Sequence, residues 1–353
     1  MENQKNSCDF SSLGVSESVL RVLREMGFEK PSEIQEKSIE TLIKTNRDFV
    51  GQAQTGTGKT AAFVIPLLEK IDTDAQSVQA IILAPTRELA LQVENEIQKI
   101  GKYTDIKSTC IYGGTAYEKQ IKALRSGRPH IVVGTPGRVI DLIEKKILKL
   151  DQAKICVLDE ADEMLNMGFF DDVKTVVKAF ESKAQLMMFS ATMPPQILKL
   201  IKNSFDNPLV VKIEKKTLSN EDIEQKYFVV KEKHFKEGLS RLIDHASEMY
   251  AIVFCRTKIE TKTVGDDLKN RGHLVEVLNG DMGQLERDHA MNSFRKGKVN
   301  ILVCTDVAAR GIDVNNITHV FNYGLTRDLE SYVHRIGRTG RAGMKGKAYT
   351  IVG

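Results

Sequence analysis

The sequence predicts an α/β protein of two tandem domains, each with a mostly parallel β-sheet that helices cover on both faces. Short apolar runs alternate with stretches of helical periodicity along nearly the whole chain, which is the element order of a parallel sheet. The runs are continuous rather than alternating, as expected where both faces of a sheet are buried. One polar, charged stretch at 213–222 lacks this pattern. We interpret it as a linker between domains at 1–212 and 223–353.

The bulk composition excludes several classes of protein. No run approaches the roughly 18 apolar residues of a membrane span, and no apolar core of a secretory signal follows the N-terminus. The five cysteines are scattered without metal-like pairing, and four of them fall inside apolar runs, where we expect small buried side chains. This usage indicates a reducing, cytoplasmic location. A net charge of +4 permits nucleic acid binding, but local clusters must supply it.

The first domain opens with a polar, helical lead-in over 1–42. Pro31 fits the start of its second helix, with Gln35 one turn inside. A buried strand beginning at Phe49 comes next. Further strands are predicted at 80–83, 109–112, 130–133, 155–158, 186–189 and 209–211, with helices at 88–100 and 171–180 among them.

The second domain repeats the strand and helix rhythm without a glycine-rich nucleotide loop. Its strands are predicted at 227–230, 251–254, 274–277, 301–304, 319–321 and 349–351. A sheet normally needs a helix after its last strand to cover one face. We therefore expect this domain to be truncated at its end.

A glycine-rich turn after the first strand predicts a nucleotide site. Gly56 and Gly58 allow a tight turn whose N–H groups converge, and the helix that follows adds its positive N-terminal end. Lys59 supplies a charge for the β- and γ-phosphates, and the Thr60 hydroxyl can hold Mg²⁺. Ala53 departs from the general pattern, which has glycine there.

Carboxylates follow the strand at 155–158, at the strand end where open α/β sheets bind ligands. Asp159 is placed to hold Mg²⁺ through water. Glu160 is placed to orient and deprotonate an attacking water. Acidic residues after a strand often only begin a loop, but the upstream phosphate loop favours a catalytic function.

The run Asp159-Glu160-Ala161-Asp162 resembles the signature of the DEAD-box RNA helicases of superfamily two, and the chain resembles a bacterial-type member over nearly its whole length. The resemblance implies two RecA-like domains and explains Ala53 in the phosphate loop, which also includes Thr55 and Thr57. It identifies 27–35 as an adenine-reading segment, with Phe28 for stacking and Gln35 for the adenine edge. ATP preference is implied in this way.

The same resemblance assigns residues to RNA in both domains. Each group follows a predicted strand end, and hydroxyls, guanidiniums and glycine N–H groups suit phosphate and sugar contacts. Alone, each group would be an ordinary turn or cap. The implied RNA contacts are Pro85, Thr86, Arg87, Gly113, Gly114, Thr135, Pro136, Gly137, Arg138, Arg256, Thr257, Gln284, Arg287 and Thr305.

The remaining assignments concern coupling and the second domain's share of the nucleotide site. Ser190 and Thr192 resemble the segment that couples ATP to RNA, and their hydroxyls can reach Asp162. In the second domain the resemblance places Gly311 and Asp313 at the nucleotide. It makes Arg338 and Arg341 the arginine fingers that stabilise charge on the γ-phosphoryl, with His334 linking to the first domain.

The implied function is RNA-stimulated ATP hydrolysis coupled to closure of the two domains. Unwinding of short RNA duplexes should be local and non-processive, and RNA–protein assemblies would be remodelled. We expect ATP and Mg²⁺ as cofactors, RNA bound largely without regard to sequence, no membrane partner and a monomeric core. Two alternatives stay open: an ATP-dependent RNA clamp with little unwinding, and a DNA-directed translocase.

Overall fold

The computed structural model divides the chain into two compact units, Met1–Lys215 and Lys216–Gly353. The described residues are 9–54, 56–114, 116–180, 184–213, 222–246, 248–309, 314, 316–326, 329–340 and 344–353. Most of the predicted linker lies outside these ranges. No helix in the described ranges combines the length and apolar character needed to span a membrane.

The first unit contains a seven-stranded sheet in the order β3-β4-β2-β5-β6-β1-β7, with every pair of neighbours parallel. The strands are β1 (Phe49–Gln52), β2 (Ala80–Leu83), β3 (Ser108–Ile111), β4 (Ile131–Gly134), β5 (Ile155–Leu158), β6 (Gln185–Ser190) and β7 (Leu209–Lys212). The helices are α1 (Glu17–Glu25), α2 (Glu33–Lys44), α3 (Lys59–Lys70), α4 (Arg87–Ile100), α5 (Tyr117–Gly127), α6 (Pro136–Glu144), α7 (Ala161–Asn166), α8 (Phe170–Ala179) and α9 (Pro195–Ser204).

Helices cover both faces of this sheet, as predicted. The first four helices pack on one face through one apolar cluster. The helices from α5 to α9 pack on the other face through a second cluster. The strand side chains alternate between the clusters, so Ile81 belongs to one and Ile82 to the other. Central strands therefore need apolar residues at every position, which is the cause of the continuous apolar runs.

The second unit contains a six-stranded parallel sheet in the order β10-β11-β9-β12-β13-β8. Its strands are β8 (Ile223–Val229), β9 (Ala251–Cys255), β10 (Val275–Leu278), β11 (Ile301–Thr305), β12 (His319–Tyr323) and β13 (Gly346–Val352). Its helices are α10 (Phe235–His245), α11 (Lys258–Asn270), α12 (Gln284–Arg295), α13 (Asp306–Ala309) and α14 (Leu329–Ile336).

The sequence-based expectations fail mainly at the sheet edges. Val210 on β7 is 61% exposed, and Tyr227 on β8 is 74% exposed, although both lie in apolar runs. Cys110 on β3 is only partly buried, unlike the other cysteines of the strands. All three strands are edges. An apolar run reports β-propensity, but a strand's place in the sheet decides its burial.

The lead-in also differs in detail from the expectation. Helix α2 begins at Glu33, and Ser32 is its N-cap, so Pro31 precedes the helix rather than starting it. A capping box joins Ser32 and Gln35, whose side-chain oxygen accepts from the Ser32 N–H at 2.9 Å. The reciprocal cap satisfies N–H groups that the first helical turn leaves without partners.

Candidate active site and nucleic-acid interface

The strand order of the first unit sorts the candidate residues into two groups along one edge of the sheet. The phosphate loop, the carboxylates and the Ser190 segment follow β1, β5 and β6, which are consecutive neighbours. The segments assigned to RNA follow β2, β3 and β4, which are also consecutive. Because all strands are parallel, both groups lie at the carboxyl edge. The two groups, which we call the predicted nucleotide half and the predicted nucleic-acid half, thus adjoin within one unit.

The phosphate loop joins β1 to α3 and is held by its neighbours. The Ala53 N–H donates to the Ser190 carbonyl at 3.0 Å, and the Thr57 hydroxyl donates to the Gln54 carbonyl at 2.8 Å. Gly58, the N-cap of α3, has φ of 88°. A Cβ there would lie 2.4 Å from Nε2 of Gln35. Both the backbone angle and the space require glycine at this position.

Lys59 is the most telling residue of the loop. Its side chain is only 6% exposed, and its amino group has no hydrogen-bond partner among the described residues. A buried ammonium without a partner is costly unless an anion joins it. Thr60, the next residue of α3, is half-buried. The pair fits a phosphate with an associated Mg²⁺ ion.

The predicted adenine-reading segment packs directly on this loop. Gln35 is 2% exposed, and its Nε2 donates to the Gly58 carbonyl at 3.1 Å. Ser32, whose hydroxyl donates to the Thr57 carbonyl at 2.7 Å, makes a second link. Phe28 is partly buried, and its ring meets that of Phe10 edge-on at 6.2 Å. The start of helix α2 is therefore hydrogen-bonded to the phosphate loop.

The two carboxylates after β5 differ in environment. Asp159 is 5% exposed and accepts a hydrogen bond from the Glu160 N–H at 3.0 Å. Burial, and next the charge of Glu160, raise the pKa of Asp159 to about 7, while Lys59 opposes the rise. Glu160 has φ of 50°, in the left-handed region. That conformation costs a non-glycine residue roughly 1–2 kcal/mol, and such strain clusters at functional sites.

Of the two hydroxyls predicted to reach the Asp162 carboxylate, that of Thr192 does so, whereas that of Ser190 bonds the Asp162 N–H. One carboxylate oxygen of Asp162, which is 3% exposed, accepts from both the N–H and the hydroxyl of Thr192, each at 2.8 Å. The Ser190 hydroxyl accepts from the Asp162 N–H at 3.2 Å and donates to the Thr192 carbonyl at 2.8 Å. These bonds tie the start of α7 to the end of β6.

The predicted nucleic-acid half presents helix starts and an open loop. Thr86 caps α4 by accepting from the Leu89 N–H at 3.3 Å, and Thr135 is the N-cap of α6. Gly113, Gly114 and Gly137 are exposed, and a Cβ on any of them would meet nothing within 4 Å. The backbone at these glycines is therefore accessible to a ligand. Pro85 and Pro136, which belong to the same segments, are buried.

Two arginines of this half rest on aromatic rings. The Arg87 guanidinium lies 4.5 Å from the centre of the Tyr112 ring, and that of Arg138 lies 4.9 Å from the Tyr117 ring. Arg138 also donates to Oε1 of Gln120 at 2.9 Å. Stacking holds a planar guanidinium in place without neutralising its charge. Both side chains remain suited to phosphate.

In the second unit, three predicted RNA elements follow consecutive strands of its sheet, β10, β11 and β9. Arg256 and the N-cap Thr257 share one partner, Glu260. It accepts from Nη2 of Arg256 at 2.6 Å and forms a capping box with Thr257. This hydrogen bond raises the pKa of Arg256. The guanidinium is therefore oriented but partly neutralised.

The other residues of the second unit that are assigned to RNA form hydrogen bonds within the unit. Gln284, at the start of α12, donates to Asp288 at 2.8 Å, and Arg287 donates weakly to the Asn279 carbonyl at 3.4 Å. Thr305 is 9% exposed, and its hydroxyl accepts from the Ala308 N–H at 3.4 Å. Thr305 thus caps the short helix α13.

The predicted finger segment contains one residue with a clear structural role. Arg335 is 3% exposed and donates to both carboxylate oxygens of Asp306, at 2.5 and 2.7 Å. His334 and Arg338 are half-buried at the end of α14 and just beyond it. The remaining predicted nucleotide contacts, Thr55, Gly311, Asp313 and Arg341, lie outside the described residues.

Sequence reasoning missed the residues that support these sites. Two of them form hydrogen bonds to groups at least 18 residues away: Ser32 to the phosphate loop and Gln120 to Arg138. The third, Glu260, bonds Arg256 just before the start of α11. Ser32 and Glu260 each left a local signal, since a serine or threonine followed three residues later by glutamine or glutamate marks a capping box. Polar residues in a helix otherwise resemble solvated positions until the tertiary contacts are known.

Comparison with known proteins agrees with this arrangement. Residues 32–200 match the DEAD/DEAH box helicase family, and residues 234–343 match the helicase conserved C-terminal domain. The DEAD-box ATP-dependent RNA helicase CshA of Bacillus cereus is 46% identical over 97% of this chain. CshA of Geobacillus kaustophilus is 46% identical, with 97% of this chain and 73% of the relative covered. The chain spans 65% of the length of the Bacillus cereus relative.

Solved structures give the same result. Saccharomyces cerevisiae Dbp5 bound to RNA and ADP BeF3 superposes with a TM-score of 0.87 at 36% identity, covering 97% of this chain and 89% of Dbp5. Mss116p bound to ssRNA and AMP-PNP superposes with a TM-score of 0.88 at 30% identity, covering 99% and 76%. The chain matches two helicase domains in sequence order, and its identity to a relative of which it covers 73% is 46%. These findings agree with the positions of the motifs. The chain belongs to the DEAD-box ATP-dependent RNA helicase family.

Proposed function

We propose that this chain is an ATP-dependent RNA helicase core, which hydrolyses ATP when RNA is bound and separates short RNA duplexes locally. The observation that carries the proposal is the buried amino group of Lys59, which has no described hydrogen-bond partner and acts electrostatically on Asp159. A polyphosphate with a divalent cation would satisfy both groups at once. The CshA and Dbp5 names support ATP and RNA as the ligands.

The residues divide the chemistry among them. Phe28 and Gln35 would bind adenine, and the N–H groups of the loop and Lys59 would hold the phosphates. Thr60 and Asp159 would hold Mg²⁺, which offsets charge on the phosphates when it is bound. Glu160, held in a left-handed conformation, would orient the attacking water and accept its proton.

Coupling to RNA would use both units. Arg338, and Arg341 beyond the described residues, would stabilise charge on the γ-phosphoryl from the second unit. Each unit also carries part of the RNA interface. ATP and RNA would therefore each favour a closed form of the protein and, by linkage, each other's binding. Asp162 with Ser190 and Thr192 would connect the two ligand halves of the first unit.

The decisive experiment measures ATP turnover with and without a single-stranded RNA oligonucleotide. We expect RNA to stimulate turnover, and Glu160→Gln to lower it by at least about 100-fold while ATP still binds. The proposal would be contradicted if RNA did not change the rate of ATP turnover, or if Glu160→Gln kept the wild-type rate.

Two further assays separate the alternatives. Strand displacement at substoichiometric enzyme should release short RNA duplexes. If duplexes never separate while RNA stays bound with a non-hydrolysable ATP analogue, the protein is a clamp instead. Equal stimulation of turnover by DNA and RNA oligonucleotides would favour a DNA-directed translocase. RNA preference is expected because hydroxyl and backbone contacts can read the 2′-OH.

A further inference from the structure

We propose that Gln120 is a positioning residue of the RNA interface, which sets the direction of Arg138 and the shape of the loop at 112–114 without contacting RNA. This inference rests on the proposed function and extends it to a residue outside the motifs that contact ligands. The buried amide of Gln120 joins two segments that come from different strand ends. The Thr135 N–H also donates to the Ile111 carbonyl at 3.1 Å, so the amide adds a side-chain link to a backbone link between these segments.

The geometry around Gln120 is specific. The side chain is 8% exposed on the inner face of α5. Its Nε2 donates to the Tyr112 carbonyl at 3.0 Å, and its Oε1 accepts from the Tyr112 N–H at 3.3 Å. The same oxygen accepts from Nη1 of Arg138 at 2.9 Å. One amide thus satisfies both backbone groups of Tyr112 and orients a guanidinium from α6.

The loop after β3 needs such an anchor. Gly113 and Gly114 follow Tyr112 directly, are exposed, and would have nothing within 4 Å of an added Cβ. Gly114 has φ of 78°, which glycine adopts freely. Glycines lose the most conformational entropy on ordering. Fixing the residue before them reduces the entropy that RNA binding must remove.

The choice of glutamine also fits an arginine that must bind an anion. The amide oxygen is neutral, so it directs the Arg138 guanidinium without adding a second negative charge to that of Asp141, which interacts electrostatically with Arg138. Arg256 in the second unit shows the contrast, because Glu260 holds it with a carboxylate and offsets its charge. Gln120 therefore preorganises a cation without competing for it.

The anchored residue also supports a second arginine. The Tyr112 ring, whose backbone Gln120 holds, lies 4.5 Å from the Arg87 guanidinium. Arg87 begins α4, and Arg138 lies in the first turn of α6. Through Tyr112, the amide thus reaches all three strand ends of the predicted nucleic-acid half.

The test replaces Gln120 by methionine, which has similar length and no hydrogen-bonding amide. We expect Gln120→Met to weaken binding of a single-stranded RNA oligonucleotide about tenfold, in the full chain with an ATP analogue present. Affinity for the analogue without RNA should not change. Gln98→Met is the matched control, because Gln98 is an exposed helix residue with a single long bond to Glu94 at 3.4 Å.

A double-mutant cycle tests whether the effect passes through Arg138. If it does, Gln120→Met should add little to the loss caused by Arg138→Gln, because the two residues then act as a unit. Full additivity of the two losses would overturn the inference. So would RNA binding by Gln120→Met within twofold of the wild type.

A second variant guards against a simple folding defect. Gln120→Glu can still accept from Arg138 and from the Tyr112 N–H, but it loses the hydrogen bond to the Tyr112 carbonyl and adds a charge beside the guanidinium. We expect it to fold and to reduce the slope of log affinity against log salt by about 0.7, the contribution of one phosphate contact on a single strand. An unchanged slope would contradict the inference. A wild type that fails to bind RNA would refute the proposed function itself, whereas normal binding by both variants would refute only the role of Gln120.

Discussion

At the scale of single residues, the site is defined by charges kept in unfavourable surroundings. Lys59 is buried without a described partner, and Asp159 is buried beside Glu160. Neither arrangement stabilises the ligand-free fold, because burial disfavours a charge that lacks a close partner. Both become favourable when a polyphosphate and a cation are present. The fold thus carries a local cost that ligand binding offsets.

The raised pKa of Asp159 predicts an effect of pH on stability. Its folded pKa is about 7, whereas an unfolded aspartate ionises near pH 4 (about 3.9). Between these values the folded chain binds more protons than the unfolded chain, so the free energy of unfolding falls as pH rises. We expect Asp159→Asn to flatten this decline and to be at least about 1 kcal/mol more stable than the wild type near pH 8.

Urea unfolding without nucleotide, at about pH 5 and about pH 8, measures this difference. The exposed Asp151→Asn is the control and should follow the wild type at both values. An identical pH dependence in Asp159→Asn and the wild type would show that Asp159 ionises normally in the folded protein.

At the scale of elements, the phosphate-loop helix carries an internal proline that a neighbouring helix accommodates. Pro66 lies within α3 and has no N–H to donate to the Ala62 carbonyl one turn earlier. The hydroxyl of Ser38, a fully buried residue of α2, donates to that carbonyl at 3.4 Å. Helix α2 therefore supports α3 at this carbonyl as well as at the phosphate loop.

This arrangement predicts non-additive substitutions. Ser38→Ala should destabilise the protein by roughly 1 kcal/mol, because it leaves the Ala62 carbonyl buried without a donor. In a Pro66→Ala background the restored N–H can supply that carbonyl, so Ser38→Ala should cost less than half as much. Chemical unfolding of the four proteins of the cycle provides the comparison. Equal costs in the two backgrounds would mean that Ser38 does not replace the missing bond.

At the scale of the whole molecule, the sequence assigns catalytic groups to both units. The arginines at the end of α14 make this division testable, since they differ in environment. Arg335 is buried and bound by Asp306, whereas Arg338 is half-buried. We therefore propose that Arg335 stabilises the second unit and that Arg338 takes part in hydrolysis.

Substitutions should separate these two roles. Arg338→Gln should lower RNA-stimulated ATP turnover by roughly 10³-fold and shift the unfolding midpoint less than Arg335→Gln does. Arg335→Gln should instead destabilise the second unit by roughly 2–3 kcal/mol, since it removes a charged pair that is buried on the arginine side. Steady-state turnover and thermal unfolding measure both variants. If Arg338→Gln retains full turnover, the second unit does not supply this catalytic group.

The sequence by itself determined the element order, the parallel sheets and the segments that carry chemistry. This was possible because apolar periodicity and glycine-rich turns are local properties of the chain. Lys59 and Asp159 could be selected in this way, whereas Asp162 was selected through the family resemblance. The resemblance also predicts a hydrogen bond from the Thr192 hydroxyl to Asp162, which the structure contains.

Only the tertiary structure decided which residues support the predicted site residues. Strand order placed β7 and β8 at edges, where Val210, Tyr227 and Val229 are exposed. It also brought Ser38 to Ala62, and Gln120 to Tyr112 and Arg138. Such contacts join residues from separate elements through hydrogen bonds of ordinary length. A polar residue in a helix carries no local mark of the distant group that it will meet when the sheet assembles.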